Sequence, residues 1–213
     1  MYIPAHFEET DLATLHQFIE SSPLGTMVVS GPNGLEANHL PFQLDRGRGS
    51  FGTLQCHVSR ANHAWRSADA ACLVIFLGPS AYISPNFYES KKEHGKVVPT
   101  YNYVAVHAHG KLTIHDDEKW LRGLVGHLTK RFEAAQPVPW KMGDAPQEYI
   151  DDMLKHIVGI EIEITRLEGK WKMSQNRPEA DRAGVVAGLG ASANPEDRAV
   201  GEIVAERGKD GNR

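Results

Sequence analysis

A short run of alternating residues places the strongest constraint on the fold of this chain. Ile160, Ile162 and Ile164 alternate with two glutamates and a threonine. Successive side chains of an extended strand point to opposite faces, so the pattern predicts a strand with one buried face and one face in water. The chain therefore contains at least one half-buried β-strand.

Five further strands are predicted between clusters of turn residues. They cover residues 24–30, 35–44, 50–58, 71–78 and 100–114. Helices are predicted to begin after Thr10 or Asp11, after Asp116 or Asp117, at the segment 144–147 and after Asn194. Residues 79–99 are predicted to form a long loop. Strands joined by tight turns, with helices inserted late, predict an α+β fold built on an antiparallel β-barrel.

Composition limits the classes of partner. The 23 Lys and Arg residues are outnumbered by 27 Asp and Glu residues, giving a net charge of −4, so the bulk charge does not suggest non-specific nucleic-acid binding. The two cysteines cannot form a disulfide scaffold. We find neither a secretory signal pattern nor an apolar run of the ~18 residues that a membrane span needs. These features lead us to expect a cytoplasmic protein without membrane contact.

Five segments in register resemble the PaiB family. They are residues 2–7 (Tyr-x-Pro-x-His-Phe), 34–42, 81–85, 95–103 and 169–177. The resemblance implies an FMN-binding split barrel over residues 1–190, followed by a C-terminal helix and tail over 191–213. It also implies a homodimer with the flavin in the subunit interface and a role as a negative transcriptional regulator. DNA is implied as a partner by the resemblance only, because the two central helices are too far apart for a helix-turn-helix.

A wider resemblance concerns the end of the third strand. Pyridoxamine-phosphate-oxidase-like barrels carry Ser-Arg-Lys at this place, and this chain has Ser59 and Arg60 followed by Ala61. The resemblance implies that Ser59 and Arg60, with Asn62 beside them, bind the FMN phosphate, because a phosphate needs a cationic fork and hydroxyl donors. The alternative is that Arg60 is a strand-end residue in water.

The segment 170–177 is the densest basic and polar stretch. In an extended chain Lys170, Lys172 and Ser174 share one face, which we expect to face an anion. Lys170, Gln175 and Asn176 are expected to hold the flavin ring or its ribityl chain, with Gln175 and Asn176 bonded to the carbonyl and imide groups. The alternative is an exposed edge strand protected by lysines.

Two further candidates lie where the chain leaves the long loop. Thr100 and Asn102 point the same way from their strand, so both are candidate flavin contacts, and the loop around Lys96 is expected to line the cleft. Ordinary cross-strand pairing explains the two residues equally well.

The sequence gives weak support for other chemistry. His107 and His109 share a strand face, but no third ligand follows at a recognisable spacing, so no metal site is expected. Cys56 and His57 are adjacent and point to opposite faces, so they cannot form a catalytic pair, and no catalytic residue is assigned. We expect a binding protein rather than a turnover enzyme. A flavin-dependent oxidoreductase acting on a small substrate and a haem-binding split barrel remain as alternatives.

Overall fold

The computed structural model describes residues 1–31, 34–66 and 70–210. Its strands are β1 (Glu8–Glu9), β2 (Leu24–Gly31), β3 (Gly34–Pro41), β4 (Gln43–Asp45), β5 (Thr53–Ser59), β6 (Ala71–Ile83), β7 (Thr100–His115) and β8 (Ile157–Lys172). Its α-helices are α1 (Leu12–Ser21), α2 (Ser90–His94), α3 (Glu118–Glu133), α4 (Gln147–Lys155), α5 (Glu179–Gly190) and α6 (Pro195–Asp210).

The strands form one eight-stranded sheet. Their order is β3-β2-β6-β7-β8-β5-β4, and β1 pairs with β8. The registers of β2 with β3, β2 with β6, β4 with β5, β5 with β8 and β1 with β8 are all antiparallel. The predicted antiparallel α+β architecture is therefore confirmed.

The chain folds into two compact units whose boundaries cut through the three longest strands. The first unit consists of Met1–Leu15, Leu77–Val106 and Glu168–Arg213. The second unit consists of His16–Phe76 and His107–Leu167.

The alternating strand near residue 160 lies in the second unit and forms part of β8. Ile160, Ile162 and Ile164 are buried as predicted, and Cys56 of β5 pairs with Ile160. The prediction for Glu161 is wrong, because its residue is only 7% exposed. The cause is an ion pair with Arg48, which lets the carboxylate leave water.

Helix starts follow the predicted caps in most cases. Asp11 accepts a hydrogen bond from the Thr14 backbone N–H at 2.8 Å, and Asp117 accepts one from Trp120 at 2.7 Å. Asn194 accepts one from Glu196 at 3.0 Å at the start of α6. The predicted cap of α4 by Asp144 is wrong, because Asp144 ends a separate 3-10 turn and α4 begins only at Gln147.

The predicted loop over residues 79–99 is also wrong in part. Strand β6 continues to Ile83, and the side chains of Ala81 and Ile83 are buried. Helix α2 lies within the rest of the segment. The turn predicted at residues 31–34 falls between β2 and β3, whose residues Gly31 and Gly34 pair, but Pro32 and Asn33 lie outside the described residues.

Helix α5 was not predicted, and it packs against α6 within the first unit. The predicted domain boundary at residue 190 falls at the end of α5 and stays a prediction. Of the helices in the described ranges, none is both long enough and apolar enough to span a bilayer.

Candidate functional site

Two lysines at the end of β8 form the most unusual charge arrangement in the first unit. Lys170 is only 8% exposed, and its ammonium donates to the Tyr2 carbonyl oxygen at 3.1 Å. The same nitrogen lies 5.2 Å from the Tyr103 ring centroid and 5.9 Å from that of Tyr2. Aromatic faces attract a cation. Lys170 is thus held by a carbonyl and two rings rather than by a carboxylate.

Lys172 completes this group, which we call the lysine cluster. Its ammonium donates to the Thr100 hydroxyl at 2.5 Å and to the Tyr101 carbonyl, and it lies 6.0 Å from the Phe7 ring centroid. Burial lowers the pKa of Lys172 below its usual range, and the positive charges of Lys170 and Arg177 lower it further.

The lysine cluster carries an excess of positive charge. Among the described residues, no carboxylate forms an ion pair with Lys170 or Lys172. A partly buried cation without an opposite charge is costly. A bound anion would remove this cost, so the geometry favours anion binding.

A tight turn follows the lysine cluster, and hydrogen bonds of its polar side chains hold the turn in place. Asn102 is fully buried and donates to the Ser174 hydroxyl at 2.9 Å. Ser174 has φ 62°, the left-handed conformation that non-glycine residues seldom adopt outside turns and functional sites. The Gln175 amide donates to the Trp171 carbonyl at 2.6 Å and accepts from the Met173 N–H at 2.7 Å. Hydrogen bonds from Asn102 and Gln175 therefore stabilise the turn.

Six predicted site residues lie in the first unit, and five of them make hydrogen bonds at the lysine cluster or at the turn that follows it. Thr100 bonds Lys172, and Asn102 bonds Ser174, which shares the predicted lysine face. Lys170 contacts aromatic rings beside them. Gln175 engages its own turn, and Asn176 is exposed. Their contact with a flavin stays a prediction.

The other three predicted residues lie together at the end of β5 in the second unit. Arg60 donates to both Asp116 carboxylate oxygens, at 2.9 and 2.5 Å, and to the Lys155 carbonyl at 2.7 Å. The Ser59 hydroxyl accepts from the Ala61 N–H at 3.3 Å. The charge of Arg60 is already matched by a carboxylate, so a phosphate would have to replace Asp116. Its phosphate role stays a prediction.

A cavity of about 600 Å³ adjoins this strand end. It lies between the ends of β3 and β5 and the helices α3 and α4, all within the second unit. Ser59 and Asn62 line it, together with mostly apolar side chains. The Asn62 amide donates to Asn38 at 2.7 Å and accepts from the Ala64 N–H at 2.9 Å.

The histidine and cysteine candidates offer little reactive chemistry. The His107 and His109 ring centroids are 6.4 Å apart, and Nδ1 of His109 lies 3.1 Å from an Arg166 guanidinium nitrogen. A neighbouring guanidinium disfavours a metal cation at that nitrogen. Burial raises the pKa of the Cys56 thiol far above its usual value, so Cys56 is not a nucleophile. The expectation of no metal site stays a prediction.

Sequence reasoning did not select four residues that contribute to the lysine cluster. Tyr2, Phe7 and Tyr103 contribute rings, and Arg177 contributes charge. All four lie in segments that resemble the PaiB family, so that resemblance was the signal that could have identified them.

Comparisons with known proteins agree on the family and the fold. Residues 1–166 match the family described as "Putative FMN-binding domain". The chain is 34% identical to an uncharacterised protein of Aspergillus fumigatus, covering 98% of each chain. It is 30% identical to the protease synthase and sporulation protein PAI 2 of Bacillus subtilis, covering 97% of this chain and 98% of that protein.

A solved structure supports the split-barrel fold. The FAD and haem binding protein from Mycobacterium smegmatis superimposes with a TM-score of 0.58 at 16% identity, covering 91% of this chain and 96% of that one. At this identity the likeness concerns the fold alone. The match over residues 1–166 and the full-length relationship to PAI 2 go further: the chain belongs to the PaiB-type family of FMN-binding split-barrel proteins, and its cofactor is a flavin.

Proposed function

We propose that this protein binds FMN as a homodimer and acts as a negative transcriptional regulator rather than as a turnover enzyme. Family membership supports the cofactor. The observation that carries the proposal is the lysine cluster, where two partly buried cations have neutral partners. FMN brings the missing charge, because its phosphate is nearly a dianion.

The residues of the lysine cluster fit this cofactor. Lys170 and Lys172 would hold the phosphate, and the Thr100 hydroxyl, already bonded to Lys172, would add a polar contact. Asn102 and Ser174 would fix the turn that presents Gln175 and Asn176 to the polar groups of the flavin. The bound flavin would supply a redox-active ring, and these side chains would bind and orient it.

The end of β5 is the rival place for the phosphate. Ser59, Arg60 and Asn62 offer a hydroxyl, a guanidinium and an amide. The ion pair between Arg60 and Asp116 weakens this alternative, because the phosphate would first have to displace a carboxylate. On charge alone, the lysine cluster is the better phosphate site.

Exposed aromatic residues in the first unit support self-association. Tyr82 and Tyr101 are 51% and 56% exposed, and their ring centroids are 5.9 Å apart in an edge-to-face arrangement. Tyrosine is enriched at protein–protein interfaces. We expect wild-type protein to sediment as a dimer and the Tyr82→Glu variant as a monomer. A monomeric wild type would contradict this part of the proposal.

A flavin titration tests cofactor binding directly. When FMN is added to purified protein, the absorbance bands of the flavin should shift, and its fluorescence should decrease with saturation. Lys172→Gln should weaken FMN binding about 10- to 100-fold, because charge-assisted hydrogen bonds contribute about 1.5–3 kcal/mol. Lys92→Gln is the matched control, since Lys92 is an exposed lysine of the same unit. Wild-type protein that binds no FMN would contradict the proposal.

The regulatory role needs a separate experiment. Gel-shift titration with DNA from upstream of the protein's own gene should give a specific complex whose affinity changes when FMN is added. The acidic net charge predicts weak binding to unrelated DNA, so unrelated DNA of equal length is the control. Equal binding to both DNAs, or no binding to either, would contradict a regulator that acts on DNA itself.

A further inference from the structure

The side-chain nitrogen of Lys172 has hydrogen-bond partners that suit a neutral amine. It donates to the Thr100 hydroxyl at 2.5 Å and to the Tyr101 carbonyl oxygen. An ammonium has three N–H donors, whereas a neutral amine has two N–H donors and a lone pair. The two oxygen atoms therefore use both N–H groups of the neutral amine, and the lone pair points away from them. A lone pair in this position is the part of an amine that reacts with a carbonyl group.

The surroundings of Lys172 favour this neutral form. The side chain is half-buried, and its burial lowers the pKa of the amine. The positive charges of Lys170 and Arg177 lower this pKa further. Among the described residues, no carboxylate forms an ion pair with Lys172 that would restore its charge. Lysines that are desolvated or lie beside another cation are the ones that form imines with carbonyl compounds.

The two neighbouring cations provide hydrogen-bond donors for an anionic group on the same ligand. The Lys170 ammonium uses one N–H for the Tyr2 carbonyl oxygen, at 3.1 Å. The Arg177 guanidinium acts electrostatically on the carboxylate of Asp181, whose oxygens accept from the Ser90 N–H at 2.9 Å and the Ser90 hydroxyl at 2.7 Å. An ammonium and a guanidinium together suit a phosphate group, which accepts several charge-assisted hydrogen bonds.

We propose that Lys172 forms an imine with a small aldehyde that carries a phosphate group, and that Lys170 and Arg177 hold this phosphate. The amine nitrogen attacks the carbonyl carbon, a C=N bond forms, and the carbonyl oxygen leaves as water with both protons of the amine. No group is oxidised or reduced in this step. The inference rests on the anion-binding role of the lysine cluster in the proposed function, but it does not require a flavin.

Reductive trapping on the full chain tests this reaction. Glycolaldehyde phosphate is added together with cyanoborohydride, which reduces an imine to a stable secondary amine, and mass spectrometry of the peptides locates the label. Lys172 should be labelled about 10-fold faster than Lys92, an exposed lysine of the same unit, because the phosphate is held beside Lys172. Equal labelling of the two lysines would overturn the proposal.

Glycolaldehyde is the matched probe, because it lacks only the phosphate. It should label Lys172 about 10-fold more slowly than glycolaldehyde phosphate does. In Lys170→Gln the ratio of these two rates should fall, since one of the two cations that hold the phosphate is gone. Equal rates for the two probes with wild-type protein would overturn the phosphate requirement, and an unchanged ratio in Lys170→Gln would overturn the role of Lys170.

Two further variants assign the label to one nitrogen. Lys172→Arg keeps a positive charge at this position, but a guanidinium does not deprotonate in proteins, so the fast label should disappear. Lys92→Gln is the control and should be labelled at Lys172 as fast as wild type. Fast labelling that persists in Lys172→Arg would assign the reaction to another lysine and overturn the proposal.

The same experiment with FMN separates this inference from the proposed function. Saturating FMN should protect Lys172 from the label, because both ligands need the cations of the lysine cluster. Labelling of Lys172 in a protein that binds no FMN would contradict the proposed function and support the imine. FMN binding without any preferential labelling of Lys172 would overturn the imine and leave the proposed function standing.

Discussion

The lysine cluster of the first unit and two arginines of the second unit, Arg48 and Arg60, differ in the partners of their positive charges. Arg48 donates to Glu161 at 2.6 and 2.7 Å, and Arg60 makes a two-pronged pair with Asp116. Within the described part of the chain, Lys170 and Lys172 contact carbonyl and hydroxyl oxygens and aromatic rings, and neither forms an ion pair. Removing one partner of a buried ion pair leaves an uncompensated charge and destabilises the fold, whereas a partly buried cation without a counter-charge favours a bound anion.

The largest expected effect comes from removing an arginine that is paired with a buried carboxylate. Arg48→Ala leaves the buried Glu161 with only the Gln55 amide and the distant His115 imidazole, so we expect a loss of about 2 kcal/mol in the free energy of unfolding. Burial raises the pKa of Glu161, but the hydrogen bonds from Arg48 and Gln55, together with the charges of Arg48 and His115, bring it below its usual value. Urea denaturation at neutral pH measures the change.

The matched control for Arg48→Ala is Arg46→Ala. Arg46 pairs with Glu20 across an exposed surface, with side-chain exposures of 46% and 35%. This variant should lose much less free energy of unfolding than Arg48→Ala, because water screens an exposed ion pair. Equal losses in both variants would mean that burial of Glu161 does not decide the cost.

A smaller change in the free energy of unfolding, of opposite sign, is expected in the lysine cluster. Lys172→Met removes a desolvated charge, so the free energy of unfolding without FMN should rise by up to about 1 kcal/mol. The pKa of Lys172 is lowered in the folded state, so the unfolded chain binds more protons as pH rises through that pKa. Wild-type stability should therefore increase with pH relative to Lys172→Met over this range. A constant difference across alkaline pH would argue against an unpaired ammonium.

The smallest effect concerns FMN affinity as a function of pH. Phosphate binding favours the charged form of Lys172, so FMN affinity should fall a few-fold as pH rises through the lowered pKa of Lys172 and the ammonium deprotonates. Lys172→Gln should show a flatter profile. Fluorescence titrations at a series of pH values measure both, and identical profiles would remove Lys172 from the binding step.

Much of the architecture could be predicted because strand alternation and helix caps depend on residues that are close in sequence. The alternating isoleucines of β8 and the caps Asp11 and Asp117 depend on neighbouring residues only. The continuation of β6 past Pro79 could not be predicted, because burial of Ala81 and Ile83 outweighs the local turn signal. The same holds for Glu161, whose burial depends on Arg48, 113 residues away.

The candidate site could be predicted only in outline. The sequence placed Lys170, Lys172 and Ser174 on one face, and the structure adds the groups to which they form hydrogen bonds. The rings of Tyr2 and Phe7 come from the opposite end of the chain, so no local pattern could reveal them. The pair between Arg60 and Asp116 is also non-local.

The most direct test of the lysine cluster compares FMN with riboflavin, which lacks the phosphate. The ratio of the two affinities, measured by fluorescence titration, isolates the phosphate contact. If the lysine cluster holds the phosphate, Lys172→Gln should lose most of the preference for FMN while Arg60→Gln keeps it. Loss of the preference in Arg60→Gln, with an unchanged ratio in Lys172→Gln, would contradict the account and place the phosphate at the end of β5.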